Sequence, residues 1–313
     1  MKVEKCYPGY TKKAVTFTID DGNLKWDKRF LSILSPAGIK GTFNLCSDRI
    51  KTGEEEKYRE FYRGYEISNH VKFHPYVFRD DTEYMLDKKG EPFDPDTSDK
   101  SYVYPVEGKT GFYWRWIGRG WRQYVSSSDY IKYTELGRAE LERVFGQGQI
   151  GGYVWPYGMQ MSSAVQNYLL GAGYYGLRAT GCVKDSTGFA LPADRMSWSY
   201  NANHTDLLEV MSAYDAYPDD GELKFFSLGV HSVDFENNSK WDDLAEFAKL
   251  YGSRPKDFWY ASVGEIFAYA DACELIKINE SARSITNNSD VTVYLKVDGE
   301  PVELLSGFTV MCS

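Results

Sequence analysis

Residues 14–22 read Ala14-Val-Thr-Phe-Thr-Ile19-Asp20-Asp21-Gly22, a short run of apolar and β-branched residues that ends in two carboxylates and a glycine. Such a run predicts a buried strand, and the glycine marks the point where the backbone turns sharply at the end of that strand. Side chains at a strand end project from the sheet edge, where catalytic groups are often placed. Taken alone, the pair of carboxylates is weak evidence, because Asp and Gly are also ordinary turn residues.

The same kind of run recurs along the chain and alternates with amphipathic stretches. Strands are predicted at residues 41–45, 65–68, 152–155, 174–179, 225–230 and 258–261, and helices at residues 26–34 and 241–251. This alternation predicts the α/β class, built from βα units around a mainly parallel sheet. Roughly seven or eight such units suffice to close a TIM-like barrel, and an open doubly wound sheet is the alternative.

Two regions depart from this rhythm. Residues 79–130 are long and irregular and include the aromatic run of residues 111–121, which predicts a substrate-facing insertion or, alternatively, a hydrophobic cluster packed under its own loop. After about residue 275, an alternating stretch at residues 291–297 precedes the turn Asp298-Gly299, which predicts a β-hairpin. The predicted organisation is a barrel domain of residues 1–275 and a small C-terminal β appendage of residues 276–313.

Composition excludes several classes of function. A formal net charge of -9 and a pI near 5.1 disfavour binding to phosphate backbones, so no nucleic-acid partner is expected. Aromatic residues make up 16% of the chain and suit stacking on sugar rings. The five cysteines are scattered, with no C-x-x-C pair, which disfavours a disulfide framework or a cysteine zinc site and favours a reducing compartment.

The start of the chain lacks the apolar core of a signal peptide, and no uninterrupted apolar stretch reaches the roughly 18 residues of a membrane span. The chain as given is therefore expected to be cytoplasmic, and to be secreted or periplasmic if a signal peptide has been removed from it.

A second group of candidate residues is Asn69-His70-Val-Lys-Phe-His74-Pro75. An i, i+4 pair of imidazoles lies on one face of a helical turn, close enough to share a metal ion, although His-x-x-x-His also occurs by chance in solvated or core histidines. Together with Asp21 the pair forms a set of two nitrogens and one carboxylate that leaves positions open for water and substrate. Asp20 is then free to accept a proton from that water.

These two motifs resemble those of the polysaccharide deacetylases of the NodB-homology type, which pair Thr-Phe-Asp-Asp-Gly with His-Ser/Thr-x-x-His-Pro. Three later segments resemble the remaining motifs of that family in the same order: Trp155-Pro156-Tyr157-Gly158, Asp194-Arg195-Met-Ser-Trp198 and Gly229-Val-His231-Ser. The likeness covers about residues 14–270, and five ordered motifs are far more specific than any one of them.

The resemblance implies a distorted (β/α) barrel that removes N-linked or O-linked acetyl groups from an acetylated carbohydrate. It implies one divalent metal ion, Zn²⁺ first and Co²⁺, Ni²⁺, Fe²⁺ or Mn²⁺ as alternatives, on Asp21, His70 and His74. It also implies Asp20 as catalytic base, the backbone N–H of Tyr157 at the oxyanion and His231 as general acid.

The chain departs from the family pattern in its third and fourth motifs. Val154 stands where the family has an arginine that pairs with the base, so Arg178 or Arg195 is expected to supply that charge from a neighbouring strand end. The fourth motif keeps Asp194 and Trp198. Trp198 either walls the sugar groove, with Trp155 and Pro156, or fills the mouth of the barrel.

Two other functions fit the same residues. A related metal-dependent amidohydrolase would act on a small non-sugar amide, because hydrolysis is indifferent to what lies beyond the carbonyl. A catalytically silent carbohydrate-binding protein is the other alternative, motivated by the missing arginine and the aromatic content. The remaining histidine, His204, precedes a predicted helix and is expected to be a solvated helix-start residue.

Overall fold

The computed structural model describes residues 1–77, 103–105, 113–116, 121–146, 148, 150–158 and 162–312. Within these residues the strands are β1 (Val3–Cys6), β2 (Lys13–Asp21), β3 (Thr42–Leu45), β4 (Glu66–Asn69), β5 (Tyr76–Val77), β6 (Val103–Pro105), β7 (Tyr113–Trp116), β8 (Trp121–Val125), β9 (Gly152–Val154), β10 (Tyr175–Cys182), β11 (Trp198–Tyr200), β12 (Lys224–Val230), β13 (Phe258–Tyr260), β14 (Ile276–Asn279), β15 (Ser284–Asn287), β16 (Val293–Val297), β17 (Glu300–Leu304) and β18 (Thr309–Met311). The α-helices are α1 (Leu24–Leu34), α2 (Glu55–Phe61), α3 (Ser127–Phe145), α4 (Ser163–Gly171), α5 (Leu207–Ala216), α6 (Ser232–Asn237), α7 (Trp241–Tyr251) and α8 (Val263–Glu274).

The central sheet contains eight strands, and all of its ladders are parallel. Its order is β11-β10-β9-β4-β3-β2-β12, with β13 pairing with the start of β2. Apart from β13, the strands follow one another around the sheet in chain order, as in a (β/α) barrel, whereas a doubly wound sheet reverses its order. The predicted α/β class with a mainly parallel sheet is confirmed.

A seam separates the two ends of this strand order, β11 and β12. The segment directly after β11 meets β12 at one parallel bridge, between Ala202 and Leu228, where the N–H of Gly229 donates to the carbonyl of Ala202 at 2.9 Å. The side chain of Asn201 also accepts a hydrogen bond from the N–H of Ser227 at 3.0 Å. The ring of strands is therefore distorted, because a single bridge replaces a full ladder at the seam.

Strand β2 is buried on both faces, which explains its lack of polar alternation. Phe17 packs edge-on against Phe30 of α1, with ring centroids 5.2 Å apart. On the other face, Thr18 accepts a hydrogen bond from the side chain of Asn44 at 2.7 Å. Because side chains alternate along a strand, Asp20 lies on the same face as Thr18, toward the barrel interior. Helix α1 follows after the cap Asn23, whose side chain accepts from the N–H of Trp26.

The described part of the predicted insertion is more regular than expected. β6, β7 and β8 form a sheet with β5 in the order β5-β8-β7-β6, and α3 begins at Ser127 behind the cap Ser126. The expectation of an irregular segment up to residue 130 is corrected there, because cross-strand pairing satisfies the backbone. Residues 78–102, 106–112 and 117–120 of the predicted insertion lie outside the described residues.

The C-terminal region forms two antiparallel sheets of three strands, β14-β15-β18 and β1-β16-β17. β16 and β17 make a hairpin whose turn residues Asp298 and Gly299 both have positive φ, at 50° and 92°. β1 pairs with β16, so the N-terminal strand completes the sheet of the C-terminal hairpin. The predicted domain boundary near residue 275 stays a prediction.

The hydrophobic interior divides into clusters that follow these layers. One cluster joins the hairpin to the barrel, since Val293 and Leu295 of β16 pack in it with Ile266 and Phe267 of α8. All five cysteines are free thiols. Among the described residues, no helix combines the length and the apolar character needed to cross a bilayer.

Candidate metal centre

The carboxyl ends of the parallel strands bring the predicted site residues to one rim of the barrel. Asp20 and Asp21 end β2, and His70 and His231 each follow a strand directly. These ends surround a metal-site cavity of about 330 Å³. Its lining consists of Asp20, Asp21, Arg49, His70, His74, Val154, Trp155, Tyr157, Gly158, Arg178, Ala179 and His231.

Asp21, His70 and His74 converge on one point of this cavity. The Oδ1 atom of Asp21 lies 3.5 Å from Nε2 of His70 and 3.6 Å from Nε2 of His74. Among the described residues this buried oxygen has no hydrogen-bond partner. Buried polar atoms are normally satisfied, and a carboxylate oxygen facing two imidazole nitrogens is a ligand set for a divalent cation. The three residues therefore fit a bound metal ion.

Both histidines are neutral and present lone pairs to this point. Nδ1 of His70 lies 2.9 Å from the carbonyl oxygen of Val154, which can only accept, so Nδ1 carries the proton and Nε2 is free to bind a metal. Burial lowers the pKa of His70. Burial, followed by the neighbouring His70, lowers the pKa of His74 to about 3. Neutral imidazoles are the form that binds metal ions.

The segment that carries the two imidazoles is a turn, which corrects the predicted helical turn. The φ angles of Val71, Phe73 and His74 are 61°, 73° and 51°, in the left-handed region that β-branched and aromatic residues rarely adopt. The side chain of Asn69 accepts from the N–H of Val71 at 3.0 Å and holds the turn. The imidazoles of His70 and His74 meet, with ring centroids 4.6 Å apart, through this turn.

Asp20 lies beside the metal ligands and is bound by Arg178 of β10. The Arg178 guanidinium contacts both carboxylate oxygens of Asp20, and Asn44 donates to Oδ1 at 2.8 Å. Burial alone would raise the pKa of Asp20, but the positive charge of Arg178, together with that of His231, outweighs it and holds this pKa well below its usual range. Asp20 is therefore an ionised carboxylate at neutral pH.

The position of Arg178 explains which residue supplies the positive charge beside Asp20 in place of the arginine that Val154 replaces. Arg178 and Val154 are register partners on neighbouring parallel strands. Paired residues of adjacent strands point to the same face of a sheet, so the cationic side chain reaches the same space from the next strand. Of the two arginines that the sequence offered, Arg178 is the one at Asp20.

The residues of the predicted fourth motif lie away from the cavity. Arg195 forms an ion pair with Asp271 on α8, so it does not serve Asp20. Asp194 is exposed and accepts a hydrogen bond within its own turn. Trp198 is buried, and its indole N–H donates to the carbonyl of Gly176 at 2.9 Å. Trp198 thus fills the barrel and does not wall a sugar groove.

The third motif forms one wall of the cavity. The backbone of Tyr157 has a φ of 57°, and its ring stacks on Tyr76 with centroids 3.8 Å apart and contacts His74 edge-on at 4.5 Å. Trp155 is buried and lines the cavity, whereas Pro156 is buried without lining it. The oxyanion role of the Tyr157 N–H stays a prediction.

His231 follows β12 and caps α6. Its Nδ1 lies 3.0 Å from Oδ2 of Asp234, which also accepts from the backbone N–H of His231 at 3.1 Å. Burial lowers the pKa of His231, but the hydrogen bond to Asp234 and the charges of Asp20 and Asp21 raise it more, to about 9. His231 is therefore protonated at neutral pH, with Nε2 as its second N–H.

Several residues at the site escaped the sequence analysis. Asp234 had a signal, since His-x-x-Asp at a helix start places a carboxylate back on the histidine. Asn44 is a polar residue inside the fully buried strand β3, and Arg49 lies 3.4 Å from Oδ2 of Asp21. His204 is mostly buried and lies 4.0 Å from Oδ2 of Asp234, which corrects its prediction as a solvated residue.

Comparison with solved structures gives several similar chains. The Xyl-CE4 domain of a multidomain xylanase from the hindgut metagenome of Trinervitermes trinervoides is 14% identical, with 84% of this chain and 92% of that chain covered and a TM-score of 0.46. The peptidoglycan deacetylase PdaC from Bacillus subtilis is 14% identical, with 86% and 98% covered and a TM-score of 0.45. The chitin deacetylase from Colletotrichum lindemuthianum is 18% identical, with 84% and 88% covered and a TM-score of 0.43.

A search among curated proteins finds no match. The family model described as polysaccharide deacetylase matches residues 8–177, which is more than half of the 313 residues. The matched range includes the strand that ends in Asp20 and Asp21, the turn with His70 and His74, and the wall at Tyr157. This chain belongs to the polysaccharide deacetylase family.

Proposed function

We propose that this protein is a metal-dependent hydrolase that removes N-linked or O-linked acetyl groups from a carbohydrate. The observation that carries the proposal is the unsatisfied Oδ1 atom of Asp21, which faces two neutral imidazoles beside the ionised carboxylate of Asp20. Such an arrangement has a place for a cation and, next to it, a separate proton acceptor.

Asp21, His70 and His74 are the residues that would hold the metal ion. Zn²⁺, or Co²⁺, Ni²⁺, Fe²⁺ or Mn²⁺ in its place, would act there as a Lewis acid on water and on the acetyl carbonyl. The lone pair of His70 is fixed by the hydrogen bond of its other nitrogen to Val154, which limits rotation of the ring. The ligand set is therefore preorganised.

Asp20 orients the attacking water and accepts its proton. Arg178 and Asn44 fix the carboxylate of Asp20 and keep it ionised, so it can accept a hydrogen bond from water at neutral pH. His231 has the opposite role. It is protonated, and Asp234 holds its Nδ1, so Nε2 can donate a proton to the departing amine or alkoxide. The N–H of Tyr157 is proposed to donate to the developing oxyanion.

The test is acetate release by protein loaded with Zn²⁺ or Co²⁺ from a panel of acetylated glycans and oligosaccharides. We expect turnover in the wild type and a loss of about 10²- to 10⁴-fold in Asp20→Asn, with the metal retained. Asp185→Asn, which changes an exposed carboxylate, is the matched control and should keep wild-type activity. Metal-loaded protein that releases no acetate from any member of the panel contradicts the proposal.

The two alternatives separate in the same experiment. Ammonia or a small amine released without acetate would favour an amidohydrolase acting on a non-sugar amide. The catalytically silent alternative was motivated by the missing arginine and the aromatic content, and it loses the first support because Arg178 contacts Asp20. Glycan binding without turnover, equal in the wild type and in Asp20→Asn, would favour it again.

A further inference from the structure

A second groove, of about 470 Å³, lies next to the metal-site cavity. The start of α1, the turn after β3 and the first part of α2 form its walls. Gly22, the neighbour of Asp21 in the chain, lines it, and Arg49 lines both this groove and the metal-site cavity. The two spaces are therefore adjacent, and a ligand that extends from one into the other passes Arg49.

The groove is lined mainly by positive charges, whereas the molecule as a whole is negatively charged. We call it the basic groove, after the charged residues that line it: Lys25, Lys28, Arg49, Lys51, Lys57 and Glu54. Five cationic side chains thus share the groove with one carboxylate, although the chain carries a formal net charge of -9. Composition does not explain this local excess of positive charge.

The single carboxylate does not neutralise the groove. Glu54 pairs with Lys57 at 2.9 Å. Across the part of the chain that the structure describes, no salt bridge involves Lys28 or Lys51, and both side chains are exposed. Lysines that form no salt bridge in a concave site keep much of their positive potential available for an anionic ligand.

Arg49 connects this potential to the metal-site cavity. Its guanidinium lies 3.4 Å from Oδ2 of Asp21, while Oδ1 of Asp21 faces His70 and His74. This contact is long for a charge-assisted hydrogen bond, and the Arg49 side chain is half-exposed at 47%. Arginine has five N–H donors, so Arg49 can keep this contact and still bind a ligand.

We propose that the basic groove binds an anionic group of the substrate, a carboxylate or a phosphate on a sugar next to the acetylated one. This inference rests on the proposed function and narrows its substrate class to negatively charged acetylated glycans. Lysine and arginine bind both anions through charge-assisted hydrogen bonds. A neutral glycan would leave the same cations solvated and gain little from them.

Binding of matched oligosaccharides by isothermal titration calorimetry tests the inference. The acetylated ligands are one with a uronic acid beside the acetylated sugar, its carboxyl-reduced neutral form and a phosphorylated counterpart. Asp20→Asn protein prevents turnover during the titration. We expect roughly tenfold tighter binding of the anionic ligands at low salt, and a smaller preference at high salt because ions screen exposed charges.

Variants of the groove locate the effect. Lys28→Gln/Lys51→Gln should lose most of the preference, since it removes the two exposed lysines that form no salt bridge with the described residues. Lys249→Gln/Lys256→Gln makes the same change of charge at exposed positions at the end of α7 and in the loop after it, and it should keep the preference. Equal thermal unfolding midpoints would show that both double variants are folded.

The results separate this inference from the proposed function. Equal affinity for charged and neutral ligands overturns the inference, as does a preference that survives Lys28→Gln/Lys51→Gln or falls equally in the control variant. If the wild type releases acetate and shows no preference for charged ligands, the groove assignment fails and hydrolysis stands. If the preference is present and the wild type releases no acetate, the anion site stands and the proposed hydrolysis fails. The anionic ligand that binds more tightly, the uronic acid or the phosphorylated one, shows whether the groove prefers a carboxylate or a phosphate.

Discussion

Two carboxyl groups on neighbouring elements, the largely buried Asp20 on β2 and the fully buried Asp27 on α1, have opposite electrostatic surroundings. Asp20 is paired with the Arg178 guanidinium. Asp27 is fully buried, and within the described part of the chain it accepts hydrogen bonds only from neutral groups, the hydroxyls of Tyr62 and Ser232, each at 2.6 Å. The pKa of Asp20 lies below its usual range, whereas burial raises the pKa of Asp27 to about 7.

The comparison shows what a buried carboxyl needs in order to stay ionised. Two hydroxyl donors lower the pKa of Asp27, but by less than burial raises it. A full positive charge at contact distance reverses the direction of the pKa shift at Asp20, so that its pKa is lowered. The role proposed for Asp20, a carboxylate that receives a proton, therefore depends on Arg178 more than on the depth of the site.

The largest effect is expected from Arg178→Met, which makes the surroundings of Asp20 resemble those of Asp27. It should lower the free energy of unfolding by about 3 to 5 kcal/mol, because it leaves a buried charge without its partner. Urea denaturation measures this loss. The double variant Asp20→Asn/Arg178→Met, which removes both charges, should recover most of it, and a single variant as stable as the wild type would contradict the assignment.

Asp27→Asn tests the other member of the comparison through its pH dependence. The folded pKa of about 7 lies above the unfolded value near 3.9, so the folded state binds more protons between these values and its stability falls as pH rises. Relative to the wild type, Asp27→Asn should therefore gain up to about 4 kcal/mol between pH 4 and pH 8. Urea denaturation across this range measures the difference, and Asp242→Asn, an exposed carboxylate on α7, should show no such trend.

Asp234→Asn extends the comparison to the protonated imidazole of His231, because the Asp234 carboxylate is its direct partner. Its loss should lower the pKa of His231 from about 9 and shift the alkaline limb of the pH profile of kcat/KM downward, by about one unit or 1.4 kcal/mol. Glu236→Gln removes a carboxylate of the same helix that pairs with Arg29, and it should leave the profile unchanged. An unmoved alkaline limb in Asp234→Asn would argue against His231 as the acid.

The smallest effect is expected from Tyr62→Phe, which removes one neutral donor from Asp27. The loss should be about 1 kcal/mol and should grow as pH rises through 7, because the hydroxyl stabilises the ionised form. Tyr58→Phe is the matched control, since the Tyr58 hydroxyl donates to the carbonyl of Arg49, which does not titrate. Equal pH dependence in the two variants would contradict the explanation.

Much of the fold was predictable because its signals are local. All seven predicted strands and both predicted helices correspond to observed elements, and the strand ends brought Asp21, His70 and His74 together as expected. The left-handed turn between the histidines was not predictable from their spacing, since a side chain of Asn69 holds it. The spacing was right, but the backbone conformation assigned to it was not.

The remaining errors concern contacts between distant segments. The register of β9 and β10 determines which arginine reaches Asp20. The residues next to Arg178 and Arg195 in the sequence do not indicate that register. The pairing of β1 with β16 joins residues almost three hundred positions apart, so no local pattern indicates it. Asp234 alone had a local signal that the sequence analysis did not use.

The seam between β11 and β12 has a consequence for motion. β2 and β12 share a ladder of seven residue pairs, whereas the bridge at Ala202 and Leu228 is isolated. Local opening of the strand pairing therefore requires the least free energy at the seam. Amide hydrogen exchange should be fastest there among the barrel strands. His231 follows Leu228 by three residues, so each opening would carry the His231 side chain outward and widen the rim of the metal-site cavity.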